Sequence, residues 1–195
     1  MARIGLVLTP GFADWEYAFI AGTASPFYGI DGGFFAPVPG QLFSQGGLAV
    51  TVDKGLSQCL DWLPDAVVIV GGTVWEQSAA PDIGDFLRTC RARGSTVAGI
   101  CGGTLALARA GLLNTTAHTS NSPDFLTLNA ENYQGEALYQ RRSSAMVADQ
   151  IITAPGPAPV SFSCLVFEAA GLAPETVSQF RAMLRAEHDS LFPPA

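Results

Sequence analysis

The chain has 195 residues, of which 48% are hydrophobic and 14% charged, a composition typical of a globular protein with a full core. Its formal net charge of -7 argues against nucleic acid and membrane surfaces as partners, because both attract positively charged proteins. We therefore expect one domain over residues 1–195, with no nucleic-acid or membrane partner. No basic leader and no apolar run of ~20 residues is visible, which predicts a cytoplasmic protein.

Apolar runs and helical periodicity alternate along the chain. The predicted strands are Arg3–Leu8, Gly32–Val38, Leu42–Val52 (with a Gly46-Gly47 turn), Asp65–Val70, Thr96–Ile100 and Met146–Ala154. The predicted helices begin at about Asp14, with that side chain as N-cap, and at Leu105, and cover Asp82–Arg93, Val160–Ala170 and Glu175–Leu191. Strands alternating with helices predict an α/β fold, a three-layer α/β/α sandwich around a mostly parallel sheet.

The segment between the fifth predicted strand and the following helix carries the strongest chemical signal. Its centre is Gly99-x-Cys101-x-Gly103, the spacing of a nucleophile elbow with cysteine in place of serine. In such an elbow the strand turns sharply into the helix, and the small residues let backbone segments approach without clashing. We expect Cys101 to stand at the carboxyl end of the sheet, with the start of the next helix lowering the pKa of its thiol.

The other three cysteines are expected to be inert. Cys59 and Cys164 lie in apolar patterns, where a cysteine acts as a small buried hydrophobe. Cys90 has arginines nearby on a predicted helix, and we place it on a solvated face. The spacings match neither a zinc site nor a disulfide framework, so neither a metal nor another cofactor is predicted.

Four segments in a fixed order resemble the ThiJ/PfpI superfamily over most of the chain. They are Gly11-Phe12-Ala13-Asp14-Trp15-Glu16, Val67–Gly72, the elbow from Ala98 to Leu107, and Ala154-Pro155-Gly156 before an apolar helix. The superfamily is class I glutamine amidotransferase-like and includes the Parkinson-disease protein 7 group. The Asp14-Trp15-Glu16 triplet and Ala117-His118-Thr119-Ser120-Asn121 look like a bacterial branch labelled glutamine amidotransferase-like. The resemblance implies a flavodoxin-like fold and a homodimer.

The resemblance also implies roles around Cys101. Glu16 falls where the family has an acid that contacts the cysteine sulfur, and a desolvated carboxyl group there would have a raised pKa. His118 aligns with a family histidine near the cysteine and is a candidate proton carrier. Backbone N–H groups of Gly71 and Gly72 would face the same pocket as oxyanion donors, and the Gly102 N–H is a third candidate.

Departures from the family narrow the expected activity. The peptidase branch has a histidine directly after the nucleophile, and a hydratase branch has threonine, where this chain has Gly102. True amidotransferases carry a late His-x-Glu pair, which is absent near Ala154-Pro155-Gly156. Neither a peptidase nor a true glutamine amidotransferase is therefore expected.

Two functional hypotheses involve the chemistry of Cys101. A third possibility, an inert binding scaffold, stays open because a fold does not determine a function. In the first, Cys101 attacks a small carbonyl or amide electrophile in a cofactor-free hydrolase or glyoxalase-like reaction, with Glu16 and His118 moving protons. In the second, Cys101 is oxidised and the protein serves as a redox sensor or protective protein in the stress response.

Overall fold

The structure, a computed structural model, describes residues 1–191, with side chains as far as residue 186. The strands are β1 (Arg3–Val7), β2 (Asp31–Phe35), β3 (Gly40–Phe43), β4 (Ala49–Val52), β5 (Ala66–Ile69), β6 (Thr96–Ile100), β7 (Met146–Ala148) and β8 (Ile151–Ala154). The helices are α1 (Asp14–Tyr28), α2 (Leu56–Trp62), α3 (Gly84–Ala92), α4 (Gly103–Arg109), α5 (Pro123–Asn129), α6 (Pro159–Ala169) and α7 (Pro174–Leu191).

Six strands form one sheet in the order β2-β1-β5-β6-β8-β7, and only the β7–β8 pair is antiparallel. The central strands β5, β6 and β8 are buried along their whole length, as expected for parallel strands covered on both faces. The carboxyl ends of β5, β6 and β8 therefore meet at one edge, where open α/β sheets bind their ligands.

Successive side chains of the strands point to opposite faces of the sheet and pack into two hydrophobic cores, one on each face. On one face Leu6 and Val68 pack in a cluster with Ile20 of α1, Phe162 of α6 and Phe180 of α7. On the other face the neighbouring strand residues Val67 and Ile69 pack with side chains of α2, α3, α4 and α5, which include Cys59, Leu87, Leu107 and Leu126. The predicted three-layer α/β/α architecture is confirmed.

Of the two longest predicted strands, one contains the turn predicted for it and the other contains a turn that was not predicted. Residues 42–52 contribute to the antiparallel pair β3–β4, with Gly46 and Gly47 in its turn, and this pair forms a separate two-stranded sheet. The single strand Met146–Ala154 is wrong, because β7 turns back into β8 through Asp149 and Gln150, both left-handed at φ 48° and 59°. Neither residue is a glycine, so the turn lacks the glycine that most often marks a two-residue hairpin loop.

The helix prediction needs three corrections. Asp14 is the first residue of α1, and the N-cap is Ala13. The Asp14 carboxylate instead accepts from the Gly46 N–H at 2.8 Å and so ties α1 to the β3–β4 turn. The short helices α2 and α5 were not predicted. Cys90 is buried and not on a solvated face of α3.

Within the described residues no helix is both long and apolar enough to cross a bilayer.

Candidate active site

Cys101 occupies a strained elbow between β6 and α4. Its φ is 52°, in the left-handed region that non-glycine residues seldom adopt, and its N–H donates to the Ala154 carbonyl at 3.0 Å. The flanking glycines are sterically required: a Cβ on Gly99 would lie 3.0 Å from the Gly103 carbonyl oxygen, and one on Gly103 would overlap the Ile69 carbonyl. The elbow geometry predicted from the sequence is confirmed, and it leaves the half-buried sulfur at the carboxyl edge of the sheet.

Glu16, in the first turn of α1, is fully buried beside this cysteine. One carboxyl oxygen, Oε2, accepts from the Gly71 N–H at 2.7 Å, whereas Oε1 has no partner of regular hydrogen-bond geometry. A Cβ on Gly71 would lie 2.9 Å from both Glu16 Oε1 and Cys101 Cβ, so the carboxyl group and the cysteine meet over the Gly71 backbone. The free oxygen is therefore the one that can exchange a proton with the sulfur.

The two groups hold their protons more tightly than isolated side chains do. Burial raises the pKa of Glu16 to about 7, against the opposing effect of its contacts with Gly71 and Cys101. Burial and then the charge of Glu16 raise the pKa of Cys101 to about 11. The predicted increase for Glu16 is confirmed, but the predicted decrease for Cys101 is wrong, because desolvation outweighs the helix start. The pair therefore loses its first proton near pH 7 and keeps the second up to about pH 11.

The three glycines predicted as oxyanion donors have different roles. The Gly71 N–H is already used by Glu16, so this prediction is corrected: Gly71 fixes the acid. The Gly102 backbone N–H lowers the pKa of Cys101 and so favours the thiolate form. Gly72 packs directly on the elbow, because a Cβ on Gly102 would lie 2.8 Å from the Gly72 carbonyl oxygen.

His118 is not brought to the sulfur. It is fully buried, with Nδ1 at 2.7 Å from the Thr116 carbonyl oxygen and Nε2 at 2.6 Å from the Tyr133 hydroxyl. A carbonyl oxygen can only accept, so Nδ1 carries the proton and Nε2 accepts from Tyr133. Burial lowers the pKa of this histidine, which keeps it neutral. The geometry therefore gives His118 a structural position and not that of the expected proton carrier.

Asn121 is the site residue that the sequence analysis missed. Its Nδ2 donates to the Cys101 sulfur at 3.3 Å, and its Oδ1 accepts from the Gly156 N–H at 3.0 Å. The residue lies 20 positions after Cys101, in the loop that leads to α5. The Ser122-Pro123 pair after it is a recognisable helix start, with Ser122 as the N-cap, and could have located this loop.

The remaining cysteines differ from Cys101 in burial. Cys59, Cys90 and Cys164 are fully or almost fully buried, and burial raises the pKa of the first two to about 12 and also raises that of Cys164. The expectation that these thiols are inert is thus consistent with their environments. The part of the chain with described side chains shows no cluster of three or more potential metal ligands.

Comparisons with known proteins identify the family of this chain. Residues 2–187 match the model of the DJ-1/PfpI family. The uncharacterized protease YoaZ of Bacillus subtilis is 29% identical, over 97% of this chain and 94% of its own length. A DJ-1 superfamily protein from Agrobacterium tumefaciens, Atu0886, superposes with a TM-score of 0.90 at 36% identity, over 96% of this chain and 100% of its own. A thiJ/pfpI family protein from Bacillus anthracis, 24% identical over 97% of this chain and 93% of its own, shares the fold with a TM-score of 0.83. The chain belongs to the DJ-1/PfpI family.

Proposed function

We propose that this protein is a cofactor-free enzyme in which Cys101 attacks a small, uncharged carbonyl or amide electrophile. The observation that carries the proposal is the unpaired Oε1 of Glu16, buried beside the sulfur on a carboxyl group whose pKa is raised to about 7. A base that titrates near neutrality is well matched to taking a proton from a thiol during attack.

The first step uses only groups of this site. The sulfur forms a bond to the carbonyl carbon while the S–H proton passes to Glu16, and the carbonyl π pair moves onto oxygen. The acid then returns its proton, to that oxygen in an aldehyde adduct or to the leaving group of an ester or amide. In an α-oxoaldehyde adduct, Glu16 then moves the C–H proton from the carbon bound to sulfur to the neighbouring carbonyl carbon, while the hydroxyl proton passes to the neighbouring oxygen, which gives a thioester. In both cases water hydrolyses the thioester and regenerates the thiol.

Charge around the sulfur favours uncharged substrates. The groups that shift the pKa of Cys101 are Glu16, Asn121 and the Gly102 backbone, and none of them is cationic. An anionic substrate would meet the Glu16 carboxylate without a compensating positive charge. The relatives YoaZ and YdeA are both called uncharacterized proteases. We nevertheless propose small substrates over peptides, because the described site has no histidine at the nucleophile.

The test is turnover of a panel of small neutral esters, amides and α-oxoaldehydes without added metal or cofactor. Cys101→Ser is expected to abolish turnover. Glu16→Gln is expected to reduce kcat by at least about hundredfold, which is the rate contribution typical of a general acid–base group. Matched controls are Cys164→Ala, a buried thiol on α6, and Glu175→Gln, an exposed glutamate in the first turn of α7. Turnover that survives in Cys101→Ser would refute the proposal.

The alternative function, a redox sensor, is favoured by the same unpaired oxygen. Peroxide would oxidise the Cys101 thiolate to sulfenate and a second peroxide would oxidise it to sulfinate, each releasing water, and protonated Glu16 could donate to a sulfinate oxygen. Three results together would favour the sensor. The wild type shows no turnover, Cys101 of the wild type gains two oxygens under mild peroxide, and Cys101 of Glu16→Ala does not. Location in the cytoplasm and the homodimer stay predictions.

A further inference from the structure

The side-chain amide of Asn121 has one possible orientation. Its oxygen lies at 3.0 Å from the backbone nitrogen of Gly156, which can only donate, so the Nδ2 end must face the Cys101 sulfur. One of the two Nδ2 protons points to the sulfur. The other makes no hydrogen bond within the residues whose side chains are described, and Asn121 itself is exposed.

The two residues that precede Asn121 are held in place by hydrogen bonds. The Thr119 N–H donates to the Thr153 hydroxyl at 2.9 Å, and the Ser120 and Thr104 hydroxyls are 2.6 Å apart. The Tyr139 hydroxyl donates to the Ser120 carbonyl at 2.9 Å. Thr104 lies in the first turn of α4, directly after the elbow, so the loop is tied to the elbow. The amide is thereby positioned before any substrate arrives, which is the condition for effective electrostatic stabilisation.

The Gly156 peptide that orients this amide lies over the sulfur. A Cβ on Gly156 would be 3.1 Å from Cys101 Sγ, so any side chain at this position would press on the sulfur. The Gly156 carbonyl accepts from the Trp15 indole N–H at 3.3 Å, which connects the same residue to the turn of α1 that carries Glu16. Asn121 and Glu16 therefore flank the sulfur in one connected frame.

We propose that Asn121 is a catalytic residue of this site: one amide proton stabilises the Cys101 sulfur as it becomes anionic, and the other binds the oxygen of the carbonyl adduct. The proposal rests on the proposed function, whose first step places an oxygen one bond from the atom attached to sulfur. That oxygen receives the electron pair of the broken π bond, and the free Nδ2 proton is a donor available to it.

Asparagine differs from histidine here in a way that matters for the reaction. An amide does not titrate, so Asn121 donates at every pH and cannot remove or supply a proton. Glu16 alone then transfers protons. The oxyanion donor is the side chain of Asn121 and not the backbone N–H of Gly71, which was expected from the sequence. The site thus separates its proton carrier from its anion donor.

The first arm of the test needs no substrate. We compare the rate of Cys101 alkylation by iodoacetamide at pH 8 in wild type, Asn121→Ala and Asn121→Asp, with peptide mass spectrometry to locate the label. Loss of the donor is expected to slow alkylation about tenfold in Asn121→Ala, because one hydrogen bond to a charged group is lost. Asn121→Asp keeps an acceptor for Gly156 and adds a negative charge, so alkylation should be slower still. The control is Asn132→Ala, which removes the side chain of an exposed asparagine well separated in sequence from Cys101.

The second arm measures kcat/KM on a substrate turned over by the wild type. Both variants should lose more in kcat/KM than in alkylation rate, because the oxygen of the adduct loses its donor as well. Equal losses would overturn the role at the oxygen, and wild-type alkylation rates in folded Asn121→Ala and Asn121→Asp would overturn the role at the sulfur. Because alkylation requires no turnover, this result is independent of the proposed function, whose failure would appear as activity in Cys101→Ser.

Discussion

Gly71→Ala is expected to disable the site although it alters neither Cys101 nor Glu16. A methyl group at this position would overlap Glu16 Oε2 and lie 2.9 Å from both Glu16 Oε1 and Cys101 Cβ. The backbone of Gly71 is not left-handed, so alanine can adopt its conformation and the effect is purely steric. The carboxyl group must move away from the Gly71 N–H and from the sulfur.

Overpacking of this kind should cost about 1–3 kcal/mol in the free energy of unfolding, measured by urea denaturation. Turnover should fall at least as far as in Glu16→Gln, because the acid is displaced and the thiol is crowded. Gly32→Ala is the matched control, since a Cβ on this exposed glycine of β2 would meet no atom within 4 Å. Wild-type stability and turnover in Gly71→Ala would mean that Glu16 does not depend on its Gly71 anchor.

Glu16→Gln is expected to change how stability depends on pH. The pKa of Glu16 rises from 4.5 to about 7 on folding, so the native state binds this proton more tightly than the unfolded chain does. The resulting stabilisation is fully present below pH 4.5 and is lost as the pH rises through about 7. The shift corresponds to a contribution of about 3 kcal/mol. Glutamine does not titrate, so the variant should lack this decrease.

The measurement is the difference in the free energy of unfolding between wild type and Glu16→Gln from pH 4.5 to pH 8. A difference is needed because His118 acts in the opposite sense: burial lowers its pKa, so its contribution is lost as the pH falls below 6.5. That contribution is common to both proteins and cancels. A difference that does not vary with pH would contradict a raised pKa for Glu16.

The sequence predicted those parts of the fold that depend on local patterns. β1, β5 and β6 are continuous apolar runs, and the elbow is marked by glycines that the close contacts of Gly99 and Gly103 require. The helix α2 has only seven residues and a glycine N-cap, so its periodicity is too short to recognise. The β7–β8 turn was missed because its two left-handed residues are Asp149 and Gln150.

The site could be predicted only in part, because some of its contacts join distant residues. Glu16 and Cys101 lie in ordered motifs, and the structure brings them together. The burial of His118 depends on Tyr133, which is 15 positions away and carries no signal of its own. Asn121 reaches the sulfur because Gly156, 35 positions further on, fixes its amide. Contacts of this kind follow from the packing of loops at the carboxyl edge of the sheet and not from any local pattern.

The most direct test of the Glu16–Cys101 pair is the pH dependence of Cys101 alkylation in wild type and Glu16→Gln, read by peptide mass spectrometry. In wild type the profile should bend near pH 7, where the pair loses its first proton, and rise again towards the Cys101 pKa of about 11. In Glu16→Gln the bend should vanish and alkylation at pH 9 should be faster, because the carboxylate no longer raises the pKa of the thiol. Superimposable profiles for the two proteins would contradict the Glu16–Cys101 pair.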